Sequence, residues 1–230
     1  MGGYRIFYID LEKLNLDEQL ATIIPQLMMA CNDISLANTC LGKYMNKEVK
    51  TTRYIWGARM YFIRQQIGHI EEGLKIIDEI RKDSRLLLIV NRMSQHGKER
   101  FDKLCGCLDG RDKTWEDYFL KIRHNISFHY NDRNESKLTR NALHDIIKEK
   151  KGKKKCTKLK NTVGSVQKMR FQLADEIVYD IVVRKIFGIP YTVDLEKDQT
   201  QAYEFLDFCS DIGKAFINFG AEFIKRIGAK

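Results

Sequence analysis

Between Thr51 and Ile80 the apolar residues Ile55, Ala58, Phe62, Ile67, Ile70, Leu74 and Ile77 recur mostly three or four positions apart. One face of a helix satisfies that spacing and a strand does not. A helix of such length with a single apolar stripe has to be covered by other helices, which points to a bundle. The same period runs through Ala21, Ile24, Leu27, Met28, Cys31, Ile34, Ala37, Cys40, Leu41 and Tyr44, with Pro25 as a candidate kink. It returns in Phe205, Phe208, Ile212, Phe216, Phe219, Phe223 and Ile227. With only 2 prolines and 15 glycines in 230 residues, the chain has little material for the turns of an all-β fold. The expectation is all-α: one helical domain over residues 1–230, built as a bundle of about six to eight helices with a short extended segment, Tyr4 to Asp10, ahead of it.

Local signals place the boundaries. Asn15 followed by Glu18 has the form of a capping box and starts the first helix. The second runs from Thr51 or Thr52 to Ile80. Two shorter helices follow between Ser84 and Cys107, with a break near His96-Gly97. Asp109-Gly110-Arg111-Asp112 reads as a loop, and Thr114 with Asp117 as a cap ahead of Trp115, Tyr118, Phe119 and Ile122. Leu138 to Lys148 forms a helix before a lysine-rich stretch. Ser165 then starts another, Val166 through Phe187, stopped by Gly188 with Pro190 beyond. The last helix spans about Gln199 to Ile227. Its Gly213 and Gly220, seven apart, each cost about 1 kcal/mol relative to alanine, which close packing against a neighbour could offset.

The formal charge of +9 is concentrated rather than spread. Lys148 to Lys160 holds eight lysines and one glutamate, a local balance of +7 that leaves the rest of the chain near neutral. Residues 148–164 are therefore expected to be a flexible lysine-rich loop, and Lys150, Lys151, Lys153, Lys154 and Lys155 are its candidate phosphate contacts, salt-sensitive and indifferent to sequence. The six cysteines are scattered and the N-terminal residues lack the apolar stretch of a secretory signal, so a cytoplasmic location with reduced thiols is expected. The longest aliphatic run, Leu86 to Val90, is far short of the roughly 20 residues that cross a bilayer, and no membrane contact is expected.

One segment gathers chemistry. Arg123-His124-Asn125-Ile126-Ser127-Phe128-His129-Tyr130-Asn131-Asp132 puts a guanidinium, two imidazoles, an amide, a hydroxyl, a phenol and a carboxylate within ten positions at the end of an aromatic helix. An imidazole titrating near neutrality can take a proton from a ribose 2′-hydroxyl. Arginine's fixed fork of donors can hold the phosphate and stabilise the charge that develops on it. Metal-free phosphodiester transfer is the chemistry such a pair serves. No Gly-rich phosphate loop, nucleophile motif or dinucleotide fingerprint is present, so no cofactor and no metal are called for. Equally, these side chains could cap and tie helix ends.

Arg123, the polar residue His124 and His129, on a late helix of an all-helical chain, resemble the R-x(4–6)-H motif of the HEPN superfamily. Members of that superfamily are helical bundles, many of them metal-independent ribonucleases of toxin, defence and RNA-processing systems. Their active site forms where two copies of the motif meet in a dimer. The resemblance implies a HEPN-like, dimeric, RNA-binding protein with Arg123 and His129 as the principal pair and His124 and Asn125 in support. The usual form has Asn directly after Arg, whereas here His124 intervenes before Asn125. An acid on an earlier helix would orient the arginine in such a site, and Glu72 is the candidate. It belongs to a polar side of the second helix, with Arg59, Arg64, His69 and Glu71, that otherwise reads as a solvated charged face. The alternative, from another class, is a non-enzymatic helical interaction module whose basic loop meets acidic partners.

Overall fold

The computed structural model describes residues 17–45, 53–124, 136–152, 161–162, 170–190 and 195–228. The segment Tyr4 to Asp10 lies outside them. The architecture is all-α, as the periodicity requires. Long helices α1 (Glu18–Met45) and α2 (Arg53–Lys82) are followed by α3 (Ser84–Asn91) and α4 (Gln95–Leu108). A π-helical segment, Trp115–Phe119, leads into the single turn α5 (Leu120–Ile122). Then come α6 (Ser136–Gly152), α7 (Gln172–Tyr179), a second π-helical segment (Asp180–Ile186) and α8 (Leu195–Gly228). The described residues also include one minimal antiparallel pairing, β1 (Asn161–Thr162) with β2 (Arg170–Phe171), in the register Asn161 to Phe171 and Thr162 to Arg170.

Four helices make the central bundle. α2 and α8 touch each other, and both touch α1 on one side and α4 on the other. On α2, Met60, Ile63, Ile67, Ile70, Leu74 and Ile77 are all buried and alternate by three and four residues. That average period of about 3.5 keeps a seam facing its partners along a slightly supercoiled pair. Cys209, Ile212, Phe216, Phe219 and Phe223 form the matching seam of α8. Each such side chain, fully buried, contributes about 1.5–3 kcal/mol. A second layer lies on α2: α7 and α5 touch it directly, and α6 reaches the body through α7 and the second π segment.

Glycines set how closely α8 approaches. A Cβ on Gly220 would overlap Cys31 Sγ of α1, and one on Gly213 would lie 3.1 Å from Gln66 Nε2 and 3.2 Å from Ile34 Cγ2. Gly73 of α2 likewise makes room for the Phe216 ring, 2.7 Å from where its Cβ would be. The seven-residue spacing of Gly213 and Gly220 thus marks the face of α8 against α1, and packing offsets their helix penalty. A polar tie crosses the same contact. Asn38 Oδ1 of α1 accepts from Gln66 Nε2 of α2 at 3.2 Å and from Ser210 Oγ of α8 at 3.0 Å.

Several boundaries differ from those the sequence suggests. Asp17, not Asn15, caps α1, accepting from Leu20 N at 2.8 Å. The break after α3 falls at Arg92 to Ser94, where Ser94 Oγ accepts from Gly97 N, so Gly97 lies inside α4. Glu222 of α8 explains the glycine, because its carboxylate accepts from Ser94 N at 2.6 Å and a Cβ on Gly97 would collide with it. Asp112 rather than Thr114 caps the next helical run, through Trp115 N at 3.1 Å, after a turn in which Gly110 takes a left-handed φ of 72°. α6 continues through Gly152, so residues 148–152 are helix and not loop. The helix expected from Ser165 through Phe187 is not one run: Arg170 and Phe171 are extended and paired, α7 begins at Gln172 after them, and residues 163–169 lie outside the described ones. A short apolar stretch fits either period, and only pairing decides. Gly188, with φ of 69°, does end that run.

α1 is long and apolar enough, by length and composition, to cross a membrane. The longest aliphatic run does not detect it, because its apolar character is spread among Ala, Met, Cys, Leu and Ile. Here Ile23, Ile24, Leu27, Ile34, Ala37 and Leu41 are its buried side.

Gly220→Ala should lower stability by about 1–3 kcal/mol through overpacking, read from urea unfolding midpoints. Adding Cys31→Ala should recover part of that loss; additive effects would place the strain elsewhere.

Candidate functional site

The helical run that carries Arg123 is anchored by Trp115, Phe119 and Ile122, all buried. Trp115 stacks on Phe119 at 5.7 Å between ring centroids, and Phe119 stacks on Phe208 of α8 at 5.6 Å. The π turn at Trp115–Phe119 changes the azimuth of every residue after it, an offset that a regular helical period does not contain. Arg123 directly follows the last anchor and so leaves the helix beside α2.

Two adjacent carboxylates of α2 receive it. Arg123 Nε donates to Glu71 Oε2 at 2.5 Å, and Arg123 Nη2 donates to Glu72 Oε1 at 3.4 Å. The Arg123 and Glu71 side chains are only 15% and 21% exposed, while Glu72 is 55% exposed. Burial makes the first contact the stronger one, because less water competes for either charge. Glu72 is shared with Lys75, whose Nζ lies 2.8 Å and 2.9 Å from its two oxygens. Lys75 first, and Arg123 second, hold the Glu72 carboxyl below its ordinary range.

An acid on α2 does therefore meet Arg123, but its closest partner is Glu71. The sequence offered both members of the Glu71-Glu72 pair without saying which faces inward. The rest of that polar side is mixed, with Arg59 in the interior and Arg64 and His69 part-exposed. Arg59 is buried, donating from Nε to Tyr44 O at the end of α1 at 2.6 Å and lying over the Tyr203 ring. Arg64 bonds back to Met60 O, and His69 Nδ1 is 3.9 Å from Asp33 of α1. A cation at the carboxyl end of α1 also suits the helix dipole.

Of the other candidates, His124 is exposed one residue beyond Arg123, and Asn125 and His129 lie outside the described residues. Lys150 turns inward to Glu176 of α7 at 3.1 Å, whereas Lys151 is exposed on the last turn of α6. Lys153, Lys154 and Lys155 lie outside the described residues. His96 sits on the first turn of α4 beside Glu99 and faces solvent, while Cys105 and Cys107 are buried. His144 is exposed, and its neighbour Asp145 pairs with Lys185 of the second π segment. Lys185 also lies 3.8 Å from the buried Asp180.

The five described thiols are free, and four of them are poorly suited to nucleophilic work. Burial pushes Cys31 and Cys107 up to about 12 and Cys105 up to about 11, and it raises Cys209 as well. A neutral buried thiol is not a nucleophile at physiological pH.

No family model, curated protein or solved structure matches the chain.

A double-mutant cycle on Arg123→Met and Glu71→Gln should give a coupling of about 1–2 kcal/mol, between the values for exposed and fully buried pairs. The same cycle with Glu72→Gln should give about 0.5 kcal/mol or less. Iodoacetamide at neutral pH should leave Cys105, Cys107 and Cys209 unmodified under conditions that label the urea-unfolded chain, as read by peptide mass spectrometry.

Proposed function

We propose that the chain is a HEPN-like RNA-binding protein of the cytoplasm, a metal-independent endoribonuclease of the defence or toxin type that acts as a dimer. The observation that carries this reading is the fixing of Arg123 by Glu71 and Glu72 of α2. A guanidinium whose orientation is set from across the bundle loses little freedom on meeting a phosphate, which is what preorganised electrostatic stabilisation requires. It stands at the head of the segment in which His124 and His129 follow.

The chemistry uses groups the chain supplies. His129 takes the proton of a ribose 2′-hydroxyl, the 2′ oxygen attacks phosphorus, and the bond to the departing 5′ oxygen breaks as that oxygen regains a proton. Arg123 holds the non-bridging oxygens while charge builds on them. The products are a 2′,3′-cyclic phosphate and a 5′-hydroxyl. His124 and Asn125 position these groups.

A second reading is favoured by the low exposure of Arg123 and the closeness of Glu71. In it, the ion pair ties α5 to α2, and the protein is a non-enzymatic helical module for acidic partners. The two readings separate in one experiment. Pure protein incubated with mixed RNA in EDTA should yield cyclic phosphate ends, and His129→Ala should reduce the rate at least a hundredfold without changing the melting temperature. RNA left intact at high protein concentration, with Arg123→Ala lowering only the melting temperature, would establish the tie instead.

A further inference from the structure

α6 presents an unbalanced positive face to solvent. Lys137, Arg140, His144, Lys148 and Lys151 are all exposed. Steps of three, four, four and three residues place them within an arc of about 80° along one side of the helix. At 1.5 Å per residue the row is about 21 Å long. The other sides of α6 are engaged. Ala142 and Ile146 are buried, Asp145 pairs with Lys185, and Lys150 pairs with Glu176. The two acids of the helix, Asp145 and Glu149, are half-buried and off the row. Among the described residues, none of the four cations of the row has an acidic partner, and His144 between them has none either.

Helical backbone holds neighbouring members of the row about 4.5–6 Å apart, measured along the axis. The regular row matches a regular polyanion better than an irregular acidic protein surface. One nucleic-acid strand carries a phosphate about every 3.4 Å of duplex axis, so roughly six phosphates pass along the row. A lipid surface fits less well, because an interfacial helix turns its apolar face outward and α6 has only Ile147 as a large exposed apolar side chain.

We propose that the outward face of α6 is a rail for the phosphate backbone of a nucleic-acid strand, bound without regard to base sequence. This surface is distinct from Arg123 and does not depend on cleavage. It also differs from a lysine loop: Lys150 is turned away, while Lys137, Arg140 and Lys148, which are not among the loop's candidate phosphate contacts, belong to it. His144 lies in the middle of the row and contacts the strand as a hydrogen-bonding group.

The test uses the full chain, a fluorescent single-stranded RNA of mixed sequence, and phosphatidylserine vesicles. Replacing Lys137, Arg140, Lys148 and Lys151 together by Gln should weaken RNA binding at least tenfold at 0.1 M salt, leaving the melting temperature unchanged. Each lost contact removes about 0.7 from the slope of log affinity against log salt, so the slope should fall by about 3. RNA that binds through these four positions supports the rail whether or not it is cut, which separates loss of the rail from loss of the cleavage reading. Failure of the wild-type chain to bind the RNA would overturn the proposal. So would unchanged affinity and slope in the fourfold variant, loss of binding only when Lys153, Lys154 and Lys155 are replaced, or dependence on the four positions for vesicles but not for RNA.

Discussion

The approach of α8 to α1 and α2 sets the geometry of everything else. At Gly213, Gly220 and Gly73 the helices come too close for a side chain, and the gained contact is distributed over Ile34, Cys31, Leu27 and the Phe216 ring. Dispersion falls steeply with distance, so a helix pair that loses this fit loses many small attractions together. With α1, α8 and α4 occupying three directions around α2, the remaining side of α2 is open to α5 and α7. Glu71 points there, and Arg123 meets it.

Charge then decides how the outer layer is attached. Where a charged group enters the interior it does so beside an opposite charge or a carbonyl: Arg59 on the end of α1, Arg123 on Glu71, Asp180 on Lys185 and Lys150 on Glu176. The contacts of Arg59, Arg123 and Lys150 each link two elements of the fold, and Lys185 does so through Asp145 of α6. An uncompensated charge at any of these places would cost more than the contact returns. Arg123, which follows α5, is accordingly oriented by Glu71 and Glu72 of α2 and not by its local turn alone. The exposed row of α6 is the opposite case. Its cations are left to solvent, and the orientation of the row is set by what α6 buries.

Helical class, the number of long helices and their seams were legible in the sequence because the apolar period is local and repeats for many turns. The three- and four-residue steps of α2 single out Ile67, Ile70, Leu74 and Ile77, all buried, whereas nearer its start Met60 and Ile63 take the buried places and the expected Ile55 and Phe62 are only half-buried. The seam of α8 was read almost as well; Cys209 takes the fully buried place that Phe208 was expected to fill. Gly213 and Gly220 also announced a close contact, though not with which helix.

What the sequence could not show depends on partners distant along the chain. The choice of Glu71 over Glu72 follows from the rotation of α2 about its axis, which α1, α4 and α8 impose together. The placement of Gly97 inside α4 depends on Glu222, 125 residues later. The inward turn of Lys150 depends on Glu176, and the extended backbone at Arg170 on its pairing with Thr162. The sequence by itself determined that the chain is a bundle, since a repeated apolar stripe has to be buried whatever covers it. Only the tertiary structure decided which charges meet, because a side chain's neighbours across an interface are set by helix rotation and distance, and neither is encoded in local spacing.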